Sequence, residues 1–100
     1  MRFKAAREPA IDRARAEAIA AEGLAFLAED AGKLGHFLAE TGLEVDDLRA
    51  NAGSADMLQA VLDYLNSNEP LLLVFAGSRG MKPEAIALAH AVLQGRGRDD

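Results

Sequence analysis

Apolar residues in this chain recur at intervals of three and four. Between Ser54 and Ser67 they fall at Leu58, Val61, Leu62 and Leu65, the i, i+3, i+4, i+7 stripe of an amphipathic helix. Ser54 follows Gly53 and suits the N-cap, and Asp56 stands in the first turn, where the helix dipole favours a carboxylate. Upstream, a long run of Ala, Arg and Glu predicts a helix from Pro9 to Glu29, with Pro9 in its first turn.

The run Leu71–Phe75 reads equally as a buried strand or a buried helix, because five consecutive apolar residues carry no period. The chain supplies its own arbiter. Displaced by 38 residues, Leu24 falls on Leu62, Leu27 on Leu65, Leu34 on Leu72, Phe37 on Phe75 and Gly42 on Gly80. Asp30 then meets Asn68, both good N-caps. Lys33–Thr41 reads as a helix ending at Gly42, so Leu71–Arg79 reads as one ending at Gly80. The register also raises the reading of two pseudo-equivalent three-helix halves, packed through Leu24, Leu27 and Phe37 against Leu62, Leu65 and Phe75.

The expected fold is therefore all-α, a compact bundle of about six short helices. They span roughly 9–29, 31–41, 45–51, 54–66, 69–79 and 83–94. Pro70 and Pro83 stand in first turns, where proline is tolerated. Residues 9–94 form one expected domain, with flexible tails at 1–8 (basic) and 95–100.

Charge divides the chain. Residues 1–15 carry a net +3, residues 16–70 a net −9 and residues 71–100 a net +1. Half the residues are apolar, so the chain is globular, but alanine supplies much of that half and large core side chains are few. Cysteine is absent, which excludes disulfides, thiolate metal sites and a cysteine nucleophile. No secretory leader is visible, and the longest apolar run, Leu71–Ala76, falls far short of the ~20 residues of a membrane span. A cytoplasmic protein is expected.

Each candidate for chemistry has a plainer account. Ala76, Gly80, Met81 and Ile86 match the spacing of a DNA-binding helix-turn-helix, and Leu38, Gly42, Leu43 and Leu48 nearly do. Any tight helix corner shows that spacing, and the helix after Gly42 opens with the anionic Glu44-Val45-Asp46-Asp47. His36 and Glu40 lie one turn apart, yet two ligands do not make a metal site; His90 has no acidic neighbour at helical spacing. Gly77-Ser78-Arg79-Gly80 lacks the strand and spacing of a phosphate loop and reads as helix termination. Ser54, Ser67 and Ser78 stand near helix ends as caps, not in a triad pattern. The adjacent pairs Glu29–Asp30 and Asp46–Asp47 point about 100° apart on a helix and cannot face one bond. The basic stretch Arg7–Arg15 could contact an acidic partner or lipid, but Ala10 and Ile11 give only a weak apolar face, and a soluble helix end is the plainer account.

Leu24–Ala28, Leu34–Ala39 and Thr41-Gly42-Leu43, with Asp47-Leu48-Arg49, Ala60–Asp63 and Pro83-Glu84-Ala85, resemble the bacterial family called domain of unknown function 3572. The likeness covers about residues 14–94 and departs from the family pattern at Asn66–Pro70. It implies a helical fold in a bacterial, cytoplasmic setting, and it implies no activity, ligand or site residue.

No catalytic, cofactor-binding or metal-binding residue is assigned. The function expected by elimination is a non-enzymatic interaction or structural module. Its partner is another protein or a second copy, through an apolar groove or the basic N-terminal end. The alternative is a helix-turn-helix nucleic-acid-binding protein; no membrane and no small-molecule ligand are inferred. With the cations concentrated in residues 1–15, no sequence-specific duplex binding is expected at ~150 mM salt, and any low-salt binding should vanish when those residues are removed. A footprint retained after that truncation would favour the helix-turn-helix.

Overall fold

The computed structural model describes residues 11–95. They form six α-helices and, among the described residues, no strand: α1 (Arg13–Ala28), α2 (Ala31–Thr41), α3 (Val45–Asn51), α4 (Ala55–Asn66), α5 (Glu69–Arg79) and α6 (Pro83–Gly95). The ambiguous run Leu71–Phe75 is helical throughout.

Caps set most of the boundaries. Asp30, Ser54 and Asn68 accept from the backbone N–H of Lys33, Met57 and Leu71, opening α2, α4 and α5. Gly42 and Gly80 close α2 and α5 at φ of 77° and 67°, conformations that a Cβ disfavours. At Gly80 the ending is the full Schellman pattern. The Met81 N–H reaches the Ala76 carbonyl at 2.9 Å and the Gly80 N–H the Gly77 carbonyl at 3.4 Å. Gly42 makes the simpler bond, to the Leu38 carbonyl at 2.9 Å.

Boundaries differ from the sequence reading at both ends of α1, by one residue at the start of α4, where Ser54 is the N-cap, and at the end of α6. α1 begins at Arg13, because Asp12 is extended and its side chain accepts from the Arg15 N–H at 2.8 Å. A strong capping carboxylate thus overrides helix propensity just upstream; Pro9 itself lies outside the described residues, as does the tail 1–8. At the other end α6 continues through Gly95, one residue into the expected tail, and residues 96–100 lie outside the description.

The helices α1, α4 and α6 pack mutually and form the centre of the bundle. α2 lies on α1 and α4, α5 lies on α4 and α6, and α3 packs extensively on none of them and buries no residue. The 38-residue register does not carry through to two equivalent halves. α2 and α5 have matching lengths, but α6 buries Ile86, Ala89 and Leu93 in the centre while its counterpart α3 stays at the edge. Leu27, Phe37, Leu62, Leu65 and Phe75 are fully buried as expected, whereas Leu24 is only partly so. Each full burial of such a side chain contributes about 1.5–3 kcal/mol.

The inward stripe of α1 is unusually slim: Ala16, Ile19, Ala20, Gly23, Phe26 and Leu27. Gly23 is the tightest point. A Cβ there would stand 2.9 Å from Leu65 Cδ1 and 3.1 Å from Val61 Cγ1, both on α4, and 3.7 Å from Phe75 Cζ on α5. The missing side chain lets α4 close on α1, and that close approach outweighs the helix-propensity cost of a mid-helix glycine. Gly35 on α2 has no such neighbour and is exposed. Chemical denaturation of two variants tests the contrast. Gly23→Val is expected to lose about 1–3 kcal/mol by overpacking, whereas Gly35→Ala gains about 0.5–1 kcal/mol. Equal effects at the two positions would contradict the packing account.

Candidate functional site: the outer face of α5 and its acidic borders

α5 is packed on one side only. Leu72, Phe75 and Ala76 are buried, and the ring of Phe75 lies 5.3 Å from that of Phe26 on α1. A helix advances about 100° per residue, so the five-residue apolar run Leu71–Phe75 must point in every direction around the axis. Leu73 and Val74 consequently face outward, 49% and 55% exposed. Pro70 and Gly77, also exposed, lie on the same side at helical spacing. From Pro70 to Ser78 the helix carries no charge.

Carboxylates stand near both ends of α5, beside the outer stripe at the Pro70 end and at the contact with α1 at the other. At the C-terminal end, Arg79 donates from Nε to Glu22 Oε1 and from an Nη to Glu29 Oε2, each at 2.9 Å, tying α5 to α1. Its guanidinium lies 5.8 Å from the centre of the Phe26 ring, and Lys33 Nζ lies 5.6 Å from the same ring. The hydrogen bonds it donates to Glu29 and then Glu22 hold the Arg79 pKa above its ordinary value. Lys33 in turn pairs with Asp30 at 3.5 Å. One arginine is thus shared by two glutamates.

At the N-terminal end, an open depression of about 320 Å³ lies between α2 and the start of α5, bordered by His36, Glu40, Tyr64, Glu69 and Pro70. No lysine or arginine lines it. His36 Nδ1 and the Tyr64 hydroxyl are 2.7 Å apart, and the Tyr64 ring meets Phe37 edge-on at 5.2 Å. Partial burial, and then the charge of Glu40, push the Tyr64 pKa above its ordinary value. The larger depression, about 680 Å³, lies where the start of α1 meets α6, with Arg15 and Lys82 offset by Asp12 and Glu84.

The residues weighed for chemistry disperse. His36 bonds Tyr64 and shares the depression with Glu40; among the described residues no group of three or more His, Asp or Glu is placed to hold a metal ion. His90 finds the acidic partner that its own helix does not offer: Nε2 meets Asp63 Oδ1 on α4. Ser54 accepts from the Met57 N–H at 3.1 Å, while Ser67 and Ser78 donate to the carbonyls of Asp63 and Phe75 at 2.8 and 3.0 Å. All three hydroxyls therefore serve helix ends. Asp47 accepts from the Glu44 N–H at 2.8 Å in a capping box, Asp30 caps α2, and Glu29 holds Arg79. Gly77–Gly80 terminates α5. Of the basic stretch, Arg13 and Arg15 are exposed at the start of α1, and residues 7–10 lie outside the description. The exposure of Leu73 and Val74 was missed in the sequence, although it follows once the apolar run is helical.

A family profile for "Protein of unknown function (DUF3572)" matches residues 13–96. The chain belongs to that family. The match covers every helix of the bundle, and the name carries no activity to this DUF3572 member. Searches of curated proteins and of solved structures give no match. No helix among the described residues is long and apolar enough to cross a membrane.

The chain has one tyrosine and no tryptophan, so phenolate absorbance reports Tyr64 alone. Its midpoint is expected above the ordinary value of 10.0, and Glu40→Gln should lower it by removing the nearby charge. A raised folded pKa favours the neutral form. The linked stability is therefore present below 10 and lost as pH rises through the folded value. A midpoint at or below 10.0 would contradict this environment.

Proposed function

We propose that this DUF3572 member is a non-enzymatic, cytoplasmic interaction module that docks another protein on the outer face of α5. The observation that carries the reading is the pair Leu73 and Val74, half-exposed side by side on an uncharged helix face. Single exposed apolar residues are ordinary on any surface, but an adjacent pair with charges only at the ends of its helix has the anatomy of a small apolar centre with a polar rim.

Gly77 supports the same reading. It lies within a helix, where glycine costs roughly 0.5–1 kcal/mol relative to alanine. A Cβ at Gly77 would meet nothing within 4 Å, so no contact inside the fold calls for its absence. Beside Leu73 and Val74, a bare backbone lets a partner chain approach closely. The dispersal of the serines, histidines and carboxylates into caps and pairs favours a binding role over an enzymatic one.

The test is co-purification from the native host with tagged wild type and with Leu73→Ser/Val74→Ser. A partner retained by the first and lost by the second, and shielding the α5 amides from hydrogen exchange, is the expected result. A partner held equally by both would place the docking surface elsewhere.

A further inference from the structure

We infer that the occupant of the α5 face is a basic amphipathic segment of another protein, with an apolar stripe flanked by Lys or Arg, and not a second copy of this chain. The inference rests on the reading of α5 as the docking surface and names the chemistry of its partner.

Charge complementarity selects the partner. Glu40 and Glu69 border one end of the stripe with no lysine or arginine lining the depression between them. At the C-terminal end of α5, where it meets α1, Glu22 and Glu29 share Arg79, which leaves a surplus negative charge on the adjoining surface. Their side chains are 52% and 61% exposed, so they remain open to a further cation. A cationic segment laid along the outer face meets Glu40 and Glu69 at its Pro70 end and apolar side chains beyond. Such a rim speeds encounter and sets orientation, while the anchors Leu73 and Val74 supply the contact. Gly77 gives the segment room beside them.

A second copy fits poorly. It would bring its own acidic body, net −9 over residues 16–70, against these same carboxylates. The area is also short. α5 has 11 residues, so at about 1.5 Å per residue it is roughly 16 Å long and cannot supply the ~800 Å² per partner of a standard stable dimer. A short helix or strand from a larger protein, held with modest affinity, suits a face of this size.

Two synthetic peptides with leucine at i, i+3, i+4 and i+7 serve as probes, one with lysine and one with glutamate at the remaining positions. Binding is read by fluorescence anisotropy at roughly 150 mM salt, where long-range attraction is screened. The lysine peptide is expected to bind the wild-type chain and the glutamate peptide is not. Leu73→Ser/Val74→Ser should weaken the lysine peptide about tenfold or more, the equivalent of ~1.4 kcal/mol. Glu40→Gln/Glu69→Gln should weaken it several-fold, whereas Asp46→Asn/Glu84→Gln, the same change in charge on α3 and α6, should leave it nearly unaltered.

Equal weakening by both neutralised pairs, or indifference to Leu73 and Val74, would reduce the binding to general attraction and overturn the inference. Preference for the glutamate peptide, or sedimentation as a dimer that Leu73→Ser/Val74→Ser dissolves, would also overturn it. Where Leu73→Ser/Val74→Ser abolishes that glutamate-peptide binding or that dimer, α5 still stands as the docking surface, so the two failures are distinguishable.

Discussion

The close approach of α4 to α1 at Gly23 is the constraint on which the rest of the bundle depends. Without a Cβ at this position, Val61 and Leu65 lie directly against the α1 backbone, and Phe75 reaches the same point from α5. Ala20 and Ala16 extend the slim stripe one and two turns toward the N-terminus of α1. A chain with four Phe, one Tyr and no Trp fills its core by bringing backbones together rather than by inserting large rings. The alanine-rich composition is therefore part of the packing solution. α6 completes the centre with Ile86, Ala89 and Leu93, and among the described residues nothing polar is buried.

That approach also decides how α5 lies. Phe75 stacks beside Phe26, which carries the C-terminal end of α5 to α1 and brings Arg79 within reach of Glu22 and Glu29. The side of α5 bearing Leu72, Phe75 and Ala76 is thereby committed to the core. The opposite side, with Leu73 and Val74, is covered by none of the other five helices among the described residues. An unbroken apolar run, of which the core takes only Leu72, Phe75 and Ala76, leaves Leu73 and Val74 as an exposed apolar face, and the account of function follows from that surplus.

Much of this was legible in the sequence, for local reasons. Asp30, Ser54, Asn68, Gly42 and Gly80 mark helix ends through short-range hydrogen bonds and backbone preference, and the boundaries at those points agree with the structure to within one residue. Pro9 was less informative, because Asp12 competes for the same helix start and captures the Arg15 N–H. Contacts between helices were not legible. Asp63 lies 27 residues from His90, and Glu22 and Glu29 lie 57 and 50 residues from Arg79, so no helical spacing reveals these pairs. The 38-residue register failed to give packing because similar patterns of apolar residues leave open which helices meet. The outer face of α5 was implied by Leu71–Phe75, but only together with the knowledge that one side of that helix packs.

The central claim is that Leu73 and Val74 serve a partner and not the fold. Equilibrium urea denaturation of Leu73→Ser/Val74→Ser against the wild-type chain tests it most directly. Because each side chain is about half-exposed, the expected loss is about 1–2 kcal/mol for the pair. A loss of roughly 4 kcal/mol or more, the scale of two core truncations, would show that these side chains hold the bundle together and would contradict the account.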